Sequence, residues 1–217
     1  MFSIYSKFHN LEKEKQERII NAALKEFTQN SYQKASTNEI IKEAGISKGS
    51  LFNYFKSKKD LYLFLFDYVI KVINEIFSEV DYNETDFFER IRQIGLVKFK
   101  IYKKYPYAFD FLKITAQEKS AEVRTEIDVF TQELISSGLE RCYQNIDFSK
   151  FRQELDIKKV TDIINWTMLG FAEEQRDKVA SFQDVSTDVF GVVFGEWEEY
   201  SEILKRSFYK KEYINDD

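Results

Sequence analysis

The sequence predicts an all-α protein: a small three-helix head containing a helix-turn-helix, joined by a long helix to a larger helical body. Three observations carry this. The 217 residues include one proline and seven glycines, so helix breakers are scarce for so long a chain. Residues 36–61, STNEIIKEAGISKGSLFNYFKSKKDL, read as two short capped helices joined by a tight turn, then the start of a longer helix. Apolar residues recur at helical spacing through the long segments of the remaining chain. With 43% hydrophobic and 17% aromatic residues the chain is not disordered, and its length allows one large or two small domains. The expected division is residues 1–57 and residues 58–217.

The head begins with an amphipathic helix over about residues 11–29. Ile20, Ala23, Leu24 and Phe27 share one face, while Lys13, Lys15, Glu17 and Lys25 lie largely off it. Tyr32 is expected beneath it. Ser36 with Glu39 three residues on is a capping box, and Ile40, Ile41 and Ala44 then face one way. Gly45 suits the left-handed conformation that ends a helix, with Ile46 plugging the core under the turn. Ser47 caps a helix over residues 48–55, and Ser57 with Asp60 caps the next. Leu51, Phe52 and Phe55 are expected to anchor the second short helix. Lys48, Gly49, Ser50, Asn53 and Tyr54 remain for its other side and tip.

That outward set has the chemistry of a groove-reading helix. Lysine supplies a mobile cation for phosphate or guanine, and asparagine can bond adenine in bidentate fashion. Serine is an adaptable donor and acceptor, and glycine at the tip lets backbone approach backbone. A small helical hairpin with ordinary polar surface has the same caps, so spacing alone leaves both readings open.

The helix over residues 58–79 would be about 33 Å long and serves as a rigid connector, with Leu65, Val69, Val72 and Ile76 belonging to the body. A turn at residues 81–84 precedes helices at 85–104, 106–118 and 121–144. Pro106 stands in a first turn, where its missing N–H does no harm. Residues 146–156 read as a loop with a short helical turn, and two long helices come after it at 157–178 and 184–209. No Gly- or Pro-rich linker separates head and body, so a shared packed interface is expected. Phe87, Phe88, Phe99, Tyr102, Tyr105, Tyr107, Phe109, Phe111, Phe130 and Trp166 give the body a heavy aromatic load. Core packing is the default for any one of them, while several together could wall a cavity for a small organic ligand.

The run AGISKGSLFNYFKSKKDL resembles the signature of the TetR/AcrR family of bacterial transcriptional regulators, A-G-[VI]-S-[KR]-G-[ST]-[LF]-Y-x-[YH]-F with a lysine and an acidic-Leu ending after it. It matches at Ala44, Gly45, Ile46, Ser47, Lys48, Gly49, Ser50, Leu51, Tyr54, Phe55, Lys58, Asp60 and Leu61. It departs at Phe52, where the family usually has tyrosine and hence a hydroxyl that can touch phosphate. The resemblance implies a homodimer on a pseudo-palindromic double-stranded DNA operator, usually as a repressor, released by a small effector, apolar or aromatic. Thr37, Lys48, Tyr54 and Lys58 would hold phosphates, Ser50 and Asn53 would read bases, and Gly49 would form the tip. It also implies an effector cavity in the body, for which Phe99, Tyr102, Phe109 and Trp166 are candidate lining residues. The last two long helices would form the dimer contact. Val160, Ile163, Ile164, Thr167 and Phe171, with Val189, Val192, Val193, Trp197 and Leu204, could supply its apolar faces.

Charge and composition narrow the alternatives. The total is −5, yet residues 1–60 hold eleven basic and seven acidic side chains, net +4, leaving −9 for the remainder. A basic head on an acidic body suits nucleic acid at one end only. The single cysteine, Cys142, rules out an intramolecular disulfide and suits a reducing cytoplasm. Residues 1–10 lack the basic start and apolar core of a signal peptide. Residues 61–73, the most apolar run, are interrupted by Asp67 and Lys71 and too short for a bilayer. His9, the lone histidine, is expected near a frayed N-terminus, without a Cys/His cluster for metal. No phosphate-cradling glycine loop occurs, so no cofactor, metal or catalytic residue is expected. The competing class is an all-α small-molecule-binding or enzymatic protein with a vestigial helix-turn-helix.

Overall fold

A computed structural model describes residues 5–178 and 187–214, and the ordered elements among them are helical. They are α1 (Ser6–His9), α2 (Lys13–Lys34), α3 (Thr37–Ala44), α4 (Lys48–Tyr54), α5 (Lys58–Glu79), α6 (Phe87–Lys104), α7 (Pro106–Ala116), α8 (Ala121–Tyr143), α9 (Ile157–Lys178) and α10 (Thr187–Phe208), with 3-10 turns at Phe148–Lys150 and Lys211–Tyr213. The start expected for the last helix at Asp184, and the side chains of Phe130 and Val189, lie outside the described residues. Among the described residues no helix is long and apolar enough to cross a membrane.

The chain divides into two compact units, Met1–Ser78 with Lys104–Leu139, and Glu79–Lys103 with Glu140–Asp217. The first unit therefore holds more than residues 1–57. In it, α2 packs along both α3 and α7. The buried stripe of α2 is Ile19, Ile20, Ala23, Leu24 and Phe27, as the helical period requires. Phe27 meets Tyr62 edge-on at 4.9 Å, and Tyr62 in turn lies 5.1 Å from both Tyr32 and Phe111. The Tyr62 hydroxyl pairs with Thr115 Oγ1 at 3.1 Å, and burial pushes its pKa up to about 12.

The end of α2 is broken rather than capped in the usual way. Ser31 sits at φ 55, ψ 172, a conformation that interrupts the intrahelical ladder and releases backbone groups around it. Two side chains distant in sequence and one from α2 itself take up backbone groups here. Glu118, itself buried, accepts the Tyr32 N–H at 2.9 Å. Glu26 accepts from the Ser36 N–H at 2.8 Å. Lys58 Nζ donates to the carbonyls of Gln33 (3.1 Å) and Ala35 (2.8 Å) while lying 5.1 Å over the Tyr32 ring.

One expectation fails at the N-terminus. The segment around His9 is not frayed: it forms α1, and Phe8 is buried between Phe55 (5.1 Å) and Phe64 (5.0 Å). Tyr5 closes the same cluster, donating its hydroxyl to Asp60 Oδ1 at 2.8 Å. Burial, together with Asp60, raises the Tyr5 pKa.

The second unit is built on Phe87, Phe88, Ile91, Ile146, Phe151, Val160, Ile164, Trp197 and Tyr209. Of the residues that could supply a dimer face or pack in the core of the chain itself, Val160, Ile164 and Trp197 are core residues, each on the inner stripe of α9 or α10. The outward stripes carry Ile163 (41% exposed), Trp166 (68%), Leu169 (67%), Val192 (71%) and Ile203 (62%). Thr167, Phe171, Val193 and Leu204 are half-buried between the two. Arg90, buried without being legible as such in the sequence, donates to the carbonyls of Gln144 (3.1 Å) and Glu84, and lies over the Tyr82 ring. A cation there also meets the negative end of α8. The loop over residues 146–156 is pinned by the Arg152 N–H to Phe208 O (3.0 Å) and the Lys210 N–H to Lys150 O (2.9 Å).

Asp86 starts α6, accepting from the Phe88 and Glu89 N–H groups at 3.0 and 3.1 Å and pairing with Lys150 at 2.9 Å. Burial alone would raise its pKa, but these donors outweigh it and the net shift is downward. Its contribution to stability is therefore full above the ordinary carboxylate range and is lost as pH falls through and below about 4. In acid titrations of unfolding, Asp86→Asn should be less stable than wild type at neutral pH, and the gap should narrow towards pH 3. Lys58→Ala should lower the unfolding free energy in urea by about 1–2 kcal/mol, since two helix-end carbonyls lose a charged donor. An unchanged midpoint would show that the ammonium is not needed there.

Candidate nucleic-acid interface

The helix-turn-helix forms as its caps dictate. Ser36 Oγ accepts from the Glu39 N–H at 3.4 Å and starts α3. Gly45 ends it at φ 63, a left-handed conformation that side chains resist, and the Ile46 N–H returns to Ile41 O at 3.1 Å. Ser47 Oγ accepts from the Ser50 N–H at 3.0 Å and starts α4. Ser57 Oγ accepts from the Asp60 N–H at 3.1 Å, and Asp60 Oδ2 accepts from the Lys56 N–H at 2.8 Å, completing a reciprocal box at the head of α5.

Leu51 and Phe55 fix the rotation of α4, each 1% exposed. At about 100° per residue, Gly49 and Asn53 then fall on the side opposite the core. Both are exposed, as is Lys48 at the first position. Phe52 is a correction: it is 39% exposed and does not anchor the helix, because it lies a quarter-turn round from Leu51. An aromatic face therefore borders Asn53 where the family pattern has a tyrosine.

Among the remaining candidates, Ser50 is half-buried, with its hydroxyl 2.9 Å from that of Ser47, so the cap already engages it. Thr37 is half-buried at the first position of α3. Tyr54 is half-buried and meets Phe8 edge-on at 6.2 Å. The ammonium of Lys58 is directed at Gln33 and Ala35, into the first unit rather than outward. Sequence reasoning missed Lys7, whose Nζ donates to Asn53 Oδ1 at 2.7 Å. The signal was available, since Tyr5 and Phe8 are aromatics one helical turn apart ahead of α2.

Gly49 bears on what α4 is for. A Cβ added there would meet only Ser47 Oγ, at 3.9 Å, and the backbone is not left-handed. Nothing inside the chain requires glycine at this position.

The residues expected to line an effector cavity do not share one setting. Phe109 is on α7 in the first unit, and Phe99 and Tyr102 are on α6 in the second. Trp166 is a surface side chain. Among the described residues, open depressions occur by Ala116–Lys119 and Arg124, of about 640 Å³, and along α10 from Gly195 to Arg206, of about 490 Å³. None of the four residues lines either. Among the described residues no group of acidic, histidine or cysteine side chains is arranged to hold a metal.

Residues 19–64 match the sequence model of the bacterial regulatory proteins of the tetR family. An uncharacterized HTH-type transcriptional regulator of Bacillus subtilis (strain 168), YuxN, is 48% identical over 56 residues, 26% of this chain and 19% of that protein. The match thus spans about a fifth of that relative's length. In fold, the chain is similar to a TetR family transcriptional regulator from Chloroflexus aurantiacus J-10-FL, with TM-score 0.64 and 22% identity over 94% of this chain and 98% of that one. It is also similar to the ketosteroid transcriptional regulator KstR2 of Mycobacterium tuberculosis, with TM-score 0.62 and 16% identity, covering 93% and 98% of the two chains. Residues 19–64 thus carry the sequence pattern of the tetR family of bacterial regulatory proteins, and the chain as a whole is similar in fold to solved regulators of that family.

Proposed function

We propose that this chain is a DNA-binding transcriptional regulator that acts as a homodimer on a pseudo-palindromic operator, as a repressor released by a small organic effector. The observation that carries the reading is the outward face of α4. It combines a glycine that nothing internal requires, an exposed asparagine and an exposed lysine on a helix whose rotation is fixed by Leu51 and Phe55. Backbone contact with phosphate at Gly49, a cation at Lys48 and an amide at Asn53 are what major-groove recognition uses. Thr37 and Tyr54 would add phosphate contacts at the flanks.

A single head makes few base contacts, so two must be held at a fixed spacing of about 34–36 Å. The exposed stripe of Ile163, Trp166, Leu169, Val192 and Ile203 supports α9 and α10 as the dimer contact, since so much apolar surface on two adjacent helices is unusual for a monomer. An apolar or aromatic effector would act by favouring the dimer geometry that does not fit the operator. Phe99 and Tyr102, both on α6, remain its proposed contacts, while Phe109 belongs to the other unit and Trp166 passes to the dimer stripe.

Gly49→Ala separates this reading from a vestigial helix-turn-helix. Alanine should leave the protein equally or more stable, by up to about 1 kcal/mol of helix propensity. It should nevertheless weaken operator binding at least tenfold in gel-shift titrations. Equal affinity for DNA would contradict the role given to α4. Val192→Glu places a charge on an exposed stripe, so helicity by circular dichroism should persist while light scattering reports a monomer and specific binding is lost. A dimer that survives this charge would move the contact elsewhere.

A further inference from the structure

The contact between Lys7 and Asn53 has a chemical consequence for which base the recognition helix selects. It rests on the DNA-binding reading above. The placement of Lys7 is fixed from both sides. Phe8 is buried against Phe55, Phe64 and Tyr54, and Tyr5 is bonded to Asp60, so α1 is seated on α4 and α5 and its exposed side chain Lys7 stands over α4. From there its ammonium reaches Asn53 Oδ1 at 2.7 Å.

An asparagine amide has one acceptor oxygen and two N–H donors, and adenine is bonded in bidentate fashion only when both kinds are free: the oxygen takes the N6 amino hydrogen and the N–H goes to N7. A lysine ammonium can only donate, so the atom it meets must be the amide oxygen; one of that oxygen's two lone pairs is taken, and the cation seated beside it repels a second donor such as the adenine amino group. What remains outward is the Asn53 amino group and the unused ammonium hydrogens. Guanine presents two acceptors, N7 and O6, in the major groove, whereas adenine presents one acceptor and one donor. A surface dominated by donors and a cation satisfies guanine, whereas the ammonium meets the adenine amino group donor to donor.

We infer that Lys7 is a specificity-determining residue which, by occupying the Asn53 amide oxygen, turns Asn53 from an adenine reader into half of a two-residue guanine reader. The two side chains come from opposite ends of the head, joined only through the aromatic cluster beneath them.

The test is selection of binding sites from randomised duplexes with the full-length protein and three variants. Asn53→Ala identifies the base pair concerned, as the position where preference flattens. Wild type should enrich guanine there. Lys7→Met should shift the preference towards adenine by about tenfold or more in the guanine-to-adenine ratio. Lys7→Arg, which restores a donor of similar reach, should keep guanine. Adenine in the wild type would overturn the inference. So would a Lys7→Met profile of unchanged identity whose affinity falls equally on all sequences, since that marks Lys7 as a phosphate contact. Either result leaves DNA binding intact. A wild type that enriches no sequence would instead remove the DNA-binding reading, and this inference with it.

Discussion

A helix of seven residues cannot sustain itself in water, and α4 is one. It exists because Leu51 and Phe55 are held against α1, α3 and α5. Phe55 lies 5.0 Å from Phe64 and 5.8 Å from Tyr5, with Phe8 wedged against both Phe55 and Phe64. Everything proposed for the outward face depends on that anchorage. Burial on one side sets the rotation, and rotation decides that Gly49 and Asn53 face away. A recognition surface has to be stiff to be selective, and here the stiffness is supplied by aromatic rings on the opposite side of the helix.

The break at Ser31 ties this anchorage to the rest of the first unit. Helix α2 carries the wall of the head and ends in freed backbone groups, which Glu118 and Lys58 satisfy from elsewhere in the sequence and Glu26 from α2 itself. Glu118 also accepts from the Ser120 N–H at 2.8 Å and the Lys119 N–H at 2.9 Å, so one carboxylate holds the turn between α7 and α8 and the end of α2 together. A buried acid with several backbone donors is rigid because moving it strands every donor at once. Movement of α7 would thus be felt at α2 without any flexible joint between them.

Much of the fold was legible because it is written locally. Caps at Ser36, Ser47 and Ser57, the glycine at 45 and the helical spacing of Ile20, Leu24 and Phe27 name their elements without reference to the rest of the chain. What was illegible depends on partners distant in sequence. Lys58 has the composition of a phosphate contact, but the end of α2 lies beside it. Phe52 has the composition of an anchor, but rotation sends it outward. The four-residue helix of Lys7 and Phe8 has too few residues to show a full period; the spacing of Tyr5 and Phe8 hints at it, and the aromatic cluster they join gives it a place. Val160, Ile164 and Trp197 are apolar like Ile163 and Val192, and composition cannot say which stripe of a helix meets its own core and which faces outward.

The central claim is that α4 presents a sequence-reading surface to duplex DNA, and the salt dependence of binding tests it most directly. Affinities of the full-length protein for its selected duplex and for a scrambled one, measured between about 50 and 200 mM salt, should both fall linearly on logarithmic axes, as phosphate contacts release counterions. The selected duplex should stay at least about a thousandfold tighter throughout. A flat dependence, or equal affinity for the two duplexes, would contradict the account.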